Sequence, residues 1–320
     1  MQKSIERKCR TMNKAIKHHF GKRIKKRIKL PNGWKETWLL ILSDGQKIVF
    51  RTHAIRPNIE KTVILSNNKI MADIYNREKF FYESVNASLG TPICPRVLVV
   101  DGTGEYYENA FQISEFIEGK SLSECLKNDF DEQAKQDIYF KIGALTARIN
   151  QVEIDPGHEY VAGRGSWEAH FADKLRGKLD MLVTNAFITA QEIEQICNNV
   201  RNMQATHTRS FMHLDIRPHN MIYRNGDLFL FDAEECEFGD PLYELACIDM
   251  EWNYWEMHDE LLKGYQSVAS IDLRSGLYLY YKLERLAMVL DMHFNRGCMN
   301  SFSQFYLNMF QEMKESMLSH

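Results

Sequence analysis

The sequence lacks several features that would place it in a special class of protein. Its longest apolar runs, such as residues 38–42 and 97–100, have the length of strands, far below the roughly 18 residues that a membrane-spanning helix needs. The N-terminus carries Lys and Arg throughout, without the apolar stretch and cleavage site of a secretory signal. Only 7 prolines argue against a long disordered segment. We therefore expect a folded protein of the cytoplasm with no membrane span.

Cysteine is also scarce. The 7 cysteines include no Cys-x-x-Cys pair and have no His at zinc-ligand spacing, so we expect them to be reduced and mostly buried, without a metal or redox role. What remains is an ordinary globular composition, with 44% hydrophobic and 26% charged residues. At roughly 150 residues per domain, the 320 residues predict two domains.

The charge is distributed unevenly along the chain. Residues 1–35 contain 13 Lys or Arg and one acid, whereas residues 225–262 contain 12 Asp or Glu and no Lys or Arg. The acidic block would attract cations. The basic segment fits a solvated, partly helical extension, or else an arm that touches nucleic acid or anionic lipid. Because no aromatic interleaving or binding motif accompanies it, we expect no nucleic-acid partner.

The pattern of apolar residues changes near Gly119. Before it, residues 24–53 predict two hairpins in series with Asn-Gly and Asp-Gly turns, and residues 73–89 have helical spacing. After it, long amphipathic helices predominate, and Thr189 with Glu192 forms a capping-box pattern. The sequence thus predicts a small β-rich region with one main helix, followed by a larger, mostly helical region.

Polar residues are concentrated between residues 211 and 232. Asp215 and Asn220 lie close together, and Asp232 follows after an Asn-Gly hairpin. Oxygen-bearing side chains that are separated by a turn and a hairpin can converge on one divalent cation. The hard oxygens of Asn and Asp side chains suit Mg²⁺. A further carboxylate beside them can accept a proton. This stretch is therefore the candidate site of chemistry.

The same stretch carries a family resemblance. His-x-Asp-Ile-Arg-Pro-x-Asn at 213–220 resembles the catalytic loop of the protein-kinase-like fold, and Phe-Asp at 231–232 resembles its metal-binding segment. The activation segment and Ala-Pro-Glu of protein kinases are missing. Asp-Pro-Leu-Tyr-Glu-Leu-Ala at 240–246 instead resembles the aminoglycoside phosphotransferase and choline kinase superfamily, a similarity that extends over residues 24–259.

The resemblance implies an α+β, bilobal protein-kinase-like fold. Its small β-rich N-terminal lobe has one main helix, and its larger C-terminal lobe is mostly helical. We expect residues 1–22 to form the basic extension and 23–117 the nucleotide-binding lobe, with a hinge at 114–119. Residues 118–320 would form the lobe that holds the catalytic residues and the acceptor.

Residue by residue, the catalytic loop carries most of the implied roles. Asp215 matches the catalytic aspartate that orients or deprotonates the acceptor hydroxyl, and Arg217 is placed to contact the transferring phosphoryl group. Asn220 and Asp232 match the magnesium ligands that hold the cation on the nucleotide phosphates. The superfamily commonly has Gly where this chain has Leu214, a bulkier side chain that would alter how closely an acceptor approaches.

The nucleotide-binding lobe carries the remaining matches. Arg51 ends a strand where kinases place the Lys that binds the α- and β-phosphates, and Glu78 is its expected partner, preferred over Glu83. Residues 30–37 would form the loop over the phosphates, although it contains only one glycine. The resemblance places the adenine against main-chain groups of the hinge, namely the carbonyl of Glu115 and the N–H of Ile117.

The acidic block is where this superfamily builds its acceptor pocket. Such a pocket favours cationic acceptors, and an aromatic ring could add a cation–π contact. Trp252 and Trp255 are at helical spacing, so pocket and core placements both stay open. The candidate acceptor residues are Glu234, Asp249, Glu251 and Trp252.

Together these matches predict an ATP-dependent phosphotransferase that moves the γ-phosphoryl group to a hydroxyl of a small, cationic molecule, such as an aminoglycoside-type antibiotic or a related amino alcohol. Mg²⁺ and a nucleoside triphosphate would be its cofactor and donor. The alternatives are a choline- or ethanolamine-type kinase and a catalytically silent, nucleotide-binding kinase fold. The sequence leaves open the acceptor's identity, the choice of ATP or GTP, the oligomeric state and the role of the basic extension.

Overall fold

The computed structural model describes residues 2–30, 35–53, 67–205, 207–252, 257–295, 297 and 302–319, of which residues 2–9, 251 and 252 are described by their helices alone. The chain divides into two compact units. The N-terminal unit comprises Met1–Cys125 and Pro218–Glu234, and the helical unit comprises Leu126–Arg217 and Glu235–His320. Each unit consists of two stretches of the chain. The strand at Met221–Arg224 belongs to the N-terminal unit because it pairs with Lys120–Ser121. The domain limits predicted from the sequence instead divide the chain into consecutive segments.

The N-terminal unit contains the β-rich part of the chain. Its elements are α1 (Gln2–Phe20), β1 (Ile24–Lys29), β2 (Lys35–Leu42), β3 (Lys47–His53), α2 (Asn68–Leu89), β4 (Val97–Asp101), β5 (Phe111–Glu115), β6 (Lys120–Ser121), most of α3 (Leu122–Asn128), β8 (Met221–Arg224) and β9 (Asp227–Leu230). A five-stranded antiparallel sheet has the order β1-β2-β3-β5-β4, and β6, β8 and β9 form a second sheet. The strands of both predicted hairpins are paired, whereas Asn32 and Gly33, within residues 31–34 of the predicted phosphate loop, lie outside the described residues.

The two faces of the five-stranded sheet have different chemistry. Because side chains alternate along a strand, Leu40 and Phe50 point to one face and Arg51 to the other. On the apolar face, Met12 and Ile16 of α1 pack into a buried cluster with the strands. Part of the basic N-terminal segment is therefore part of this unit's core, and its amphipathic pattern is explained by burial against the sheet. The opposite face carries the charged residues described below.

The helical unit holds the other α-helices and strands. They are α4 (Glu132–Asn150), α5 (Trp167–Val183), α6 (Ala190–Arg201), β7 (Ser210–Met212), β10 (Glu237–Gly239), α7 (Pro241–Trp252), α8 (His258–Gln266), α9 (Gly276–Leu290) and α10 (Ser303–Leu318). Thr189 and Glu192 form the capping box that the sequence predicts at the start of α6. Five of the cysteines are described as free and buried. No helix among the described residues combines the length and apolar composition that crossing a bilayer requires.

Helices α4 and α8 approach each other more closely than side chains would allow. A Cβ atom on Gly143 would collide with the main chain at Leu261, and one on Gly264 would collide with the main chain at Phe140. Both glycines are therefore required by packing, because backbone atoms cannot move aside as a flexible side chain can. Gly177, in the middle of α5, has no neighbouring atom within 4 Å of the position that a Cβ would take.

These glycines predict opposite effects of the same substitution. Gly143→Ala should lower the free energy of unfolding by about 2 kcal/mol, since the added methyl overpacks the α4–α8 contact. Gly177→Ala should raise it by roughly 0.5–1 kcal/mol, because alanine favours the helix where space is open. Urea unfolding followed by circular dichroism measures both. Stabilisation by Gly143→Ala would contradict the close helix approach.

Candidate active site

A buried ion pair lies on the charged face of the five-stranded sheet. The Arg51 guanidinium contacts the Glu78 carboxylate of α2 and donates to Gln112 Oε1 at 2.9 Å. Gln112 also donates to Glu78 at 2.8 Å, so the three side chains form a closed network. Glu78 is fully buried and Arg51 is 9% exposed. The structure therefore brings together the two residues that the sequence pairs, in a setting where neither charge could remain without a partner.

Glu78 also holds the segment that contains Asp232. Its Oε1 accepts the N–H of Ala233 at 2.9 Å and the hydroxyl of Tyr82 at 2.5 Å. The Tyr82 oxygen in turn accepts the N–H of Asp232 at 2.7 Å. Asp232 has a φ of 68°, a left-handed conformation that costs energy for a residue with a side chain. These hydrogen bonds stabilise the bend and direct Asp232 towards Arg51, whose Nη1 lies 3.1 Å from Asp232 Oδ1.

Asn220 lies at the same end of the β8–β9 hairpin as Asp232. The register pairs Met221 with Leu230, and the carbonyl of Asn220 accepts the N–H of Phe231 at 3.0 Å. An amide oxygen and a carboxylate are the hard ligands that Mg²⁺ prefers. The side chains of Asn220 and Asp232 are therefore of the types that would hold a magnesium ion, whose charge would offset that of bound phosphates.

Lys35 and Glu234 extend this charged cluster. Lys35 Nζ contacts the Asp232 carboxylate and lies 2.9 Å from Glu234 Oε2, while His53 Nε2 lies 3.6 Å from the same Glu234 oxygen. Burial alone would raise the pKa of Asp232 and of Glu234, but the charges of Lys35 and Arg51 outweigh it, and both pKa values lie below their ordinary range. Glu234, a candidate acceptor residue in the sequence, thus contacts the cations around Asp232.

The expected hinge follows β5, the strand of the five-stranded sheet that comes last in the chain. Glu115 ends β5, and its carboxylate accepts from Arg96 at 2.7 Å near the surface. Ile117 lies two residues further along the chain and is half-buried. Their adenine-binding roles stay a prediction.

Asp215 lies in the helical unit, where two arginines hold its carboxylate. Arg217 Nη2 donates to Oδ2 at 3.0 Å, and Arg285 Nη2 on α9 lies 3.4 Å from Oδ1. Arg285 is 5% exposed, and the carboxylate of Asp215 supplies a negative partner for its buried charge. The N–H of Asp215 is 3.2 Å from Nδ1 of His213, so this histidine contacts the backbone of the loop. Each oxygen of the candidate catalytic carboxylate therefore faces a cation.

The backbone before Asp215 is held by a buried acid. Glu244 on α7 is fully buried and accepts the N–H groups of His213, at 2.5 Å, and Leu214, at 2.8 Å. Burial raises the pKa of Glu244 to about 7. Leu214 has a φ of 60°, in the region that favours glycine, which explains in physical terms why a glycine suits this position. Its side chain is buried in the core of the helical unit.

The remaining acceptor candidates lie on α7. Asp249 is ion-paired with Lys282, whose Nζ lies 2.5 Å from Oδ2, and the hydroxyl of Tyr278 donates to the same oxygen at 3.2 Å. A cationic acceptor would therefore have to compete with Lys282 for this carboxylate. The side chains of Glu251 and Trp252, and the whole of Trp255, lie outside the described residues.

Three residues around the candidate catalytic groups have no role in the sequence-based interpretation. Lys35 lies within the predicted phosphate loop of residues 30–37, and a basic residue there is a signal that could have been used. Glu244 lies within the Asp-Pro-Leu-Tyr-Glu-Leu-Ala run, but its contact with the loop is visible only in three dimensions. Arg285 lies 70 residues beyond Asp215 in a region without a motif, so nothing in the sequence indicated it.

The family model of the phosphotransferase enzyme family matches residues 29–275. No curated protein sequence gives a significant match. Among solved structures, a thermostable mutant of aminoglycoside phosphotransferase APH(4)-Ia has a TM-score of 0.65 at 17% identity, covering 95% of this chain and 98% of that one. The streptomycin–ATP complex of APH(2'')-IIa has a TM-score of 0.60 at 16% identity, and the likeness covers 97% of this chain and 95% of that one.

A protein assigned as a fructosamine-3-kinase from Thermobifida fusca has a TM-score of 0.62 at 12% identity, covering 96% of this chain and 98% of that one. These likenesses confirm the predicted fold, with its β-rich sheet region and helical remainder. The match over residues 29–275 confirms that the protein is a phosphotransferase and shows that this chain belongs to the phosphotransferase enzyme family.

Proposed function

We propose that this protein transfers the γ-phosphoryl group of ATP to a hydroxyl of a small, cationic molecule, with Mg²⁺ as cofactor. The observation that carries the proposal is the buried network in which Glu78 joins Arg51 to the segment holding Asp232. This arrangement fits a site where Arg51 binds nucleotide phosphates and Asp232 binds the metal. ATP as donor is further supported by the ATP and AMP-PNP complexes of the similar structures.

The other roles follow from the helical unit and the hairpin end. Asp215 would orient the acceptor hydroxyl and accept its proton, with its carboxylate held by Arg217 and Arg285. Arg217, whose side chain is 41% exposed, can also reach for a phosphoryl oxygen. Asn220 and Asp232 would hold the Mg²⁺, which when bound offsets negative charge on the phosphates. The main chain at Glu115 and Ile117 would hold the adenine.

The class of acceptor rests on charge. The excess of acids in residues 225–262 favours a cationic acceptor, and Asp249 is partly buried among Lys282, Tyr278 and His258. The similar structures include complexes with streptomycin, gentamicin and hygromycin B. We therefore place aminoglycosides first, with choline, ethanolamine and fructosamines as the alternatives.

A panel of acceptors tests the proposal. The full chain is incubated with Mg²⁺ and ATP or GTP plus an aminoglycoside, a macrolide, choline, ethanolamine, an amino-sugar or a fructosamine, and nucleotide turnover is measured with and without each acceptor. We expect turnover to depend on Mg²⁺ and on one cationic class. Turnover with choline or ethanolamine alone would favour the second candidate. Nucleotide binding without phosphoryl transfer to any acceptor would favour a silent kinase fold.

A further inference from the structure

The charged face of the N-terminal unit has a lysine whose partners are unusual for a nucleotide site. Lys35 is the first residue of β2 and lies within residues 30–37, the segment that the sequence places over the phosphates. The strand register pairs Lys35 with His53 and Thr37 with Arg51, so the side chains of Lys35, His53 and Arg51 extend from one face of the sheet. Lys35 is thus in the same row of basic side chains as the proposed phosphate-binding arginine.

This row faces a group of carboxylates. Asp232 is contacted by Lys35 and Arg51, and Glu234 lies 2.9 Å from Lys35, 3.7 Å from Arg51 Nη2 and 3.6 Å from His53. The side chains of Lys35 and Glu234 are only 15% and 14% exposed. With little water to screen them, these carboxylates need a nearby positive charge.

A competition follows from these contacts. The Asp232 oxygen that Lys35 and Arg51 contact is on the carboxylate proposed to bind the metal. A divalent cation bound to this carboxylate would compete with the ammonium of Lys35 for the negative charge of Asp232, and an ammonium that leaves Asp232 needs another anion. Phosphate oxygens supply one, and an ammonium is well suited to bind them as a point charge.

We infer that Lys35 is a phosphate-binding residue of the nucleotide site that exchanges partners: it neutralises Asp232 and Glu234 in the empty protein and binds the nucleotide phosphates once the cation takes Asp232. The inference rests on the proposed function, which it deepens by adding a residue to the donor site. It makes the binding of metal and of nucleotide interdependent. The metal releases Lys35 to bind the phosphates, and the phosphates draw Lys35 away from the metal-binding carboxylate of Asp232. It also assigns Glu234 to the nucleotide site, because Glu234 is the second carboxylate that Lys35 contacts in the empty protein.

Removing the ammonium therefore has opposite effects on the two ligands. In Lys35→Met, Mn²⁺ alone should bind at least about threefold more tightly, because its competitor for Asp232 is gone. A non-hydrolysable ATP analogue with Mg²⁺ should bind about tenfold more weakly, because one charged hydrogen bond to phosphate is lost. Lys35→Arg should keep nucleotide affinity within about threefold, since the positive charge is retained.

The experiment measures Mn²⁺ binding by electron paramagnetic resonance without nucleotide, and binding of the ATP analogue with Mg²⁺ by calorimetry. Lys26→Met, at an exposed position of β1, is the matched control and should change neither affinity. Lys35→Gln removes the same charge with a different side chain and should repeat both signs. Circular dichroism checks that each variant is folded.

The outcomes separate this inference from the proposed function. If Lys35→Met weakens both ligands, Lys35 only supports the shape of the site and the exchange is refuted. Unchanged nucleotide affinity refutes it as well. If the wild-type protein binds no nucleotide, the proposed function fails and the inference fails with it. If the wild type binds nucleotide and the two signs are opposite, the exchange stands.

Discussion

Replacing Asp215 by alanine should lower kcat by at least about a thousandfold, with the affinity for the nucleotide changed by less than about threefold. The carboxylate is the only group of Asp215 that the substitution removes, and its two oxygens are held by Arg217 and Arg285. A group fixed on both sides cannot rotate freely, so it can present a constant geometry to an acceptor hydroxyl.

The measurement is steady-state turnover with the best acceptor of the panel, together with calorimetric binding of the ATP analogue. Asp180→Ala, at an exposed position of α5, is the matched control and should retain wild-type turnover. Asp215→Asn should be nearly as impaired as Asp215→Ala, because an amide cannot accept the proton. If Asp215→Ala kept more than about a tenth of the wild-type kcat, general-base or orienting catalysis by this residue would be ruled out.

The local rules of the sequence account for much of the fold. The Thr189 and Glu192 capping box depends on residues three apart, so its two hydrogen bonds are fixed by local spacing. The Asn-Gly turn before β9 is likewise local, since Asn225 and Gly226 both adopt the positive φ that such turns need. Patterns of this kind can be predicted because the interacting groups are neighbours in the chain.

The partners of the site residues follow from tertiary structure instead. Arg51 and Glu78 could be paired from the sequence because the family resemblance supplied the pairing, and the structure brings them into contact. Lys35 and Asp232 are 197 residues apart, and their contact depends on sheet register and on the bend at Asp232. No spacing rule predicts that contact. The sequence likewise could not indicate that the side chain of Glu234, predicted to bind the acceptor, contacts Lys35, Arg51 and His53.

Leu214 shows how a sequence signal can be noticed and its cause still be missed. The sequence shows a leucine where the resembled superfamily commonly has glycine, and predicts an effect on acceptor approach. The structure gives a backbone reason, because the residue has a φ of 60°. The side chain is 2% exposed and packs in the core, so burial offsets part of the conformational cost. Strain of this kind depends on φ, which a residue type alone does not fix.

Glu244 should make the stability of the protein depend on pH. Burial raises the pKa of Glu244 to about 7, from an ordinary value of 4.5, so the folded protein holds this proton more tightly than the unfolded chain. The resulting stabilisation is fully present below pH 4.5 and is lost as pH rises through about 7. A difference of this size corresponds to about 3 kcal/mol in the free energy of unfolding. The contribution of Glu244 should therefore be larger at pH 5 than at pH 8.

Substitution at Glu244 isolates that contribution. Glu244→Gln cannot gain or lose the proton, so the wild type should exceed it in free energy of unfolding by more at pH 5 than at pH 8, as measured by urea unfolding. Glu312→Gln, at an exposed position of α10, should show no such difference. Glu244→Ala should lose about 2–4 kcal/mol, because the buried N–H groups of His213 and Leu214 lose their acceptor. The prediction is wrong if the difference in free energy of unfolding between wild type and Glu244→Gln is the same at both pH values. Glu244 would then have the same pKa in the folded and unfolded chain, and its effect would come from hydrogen bonding alone.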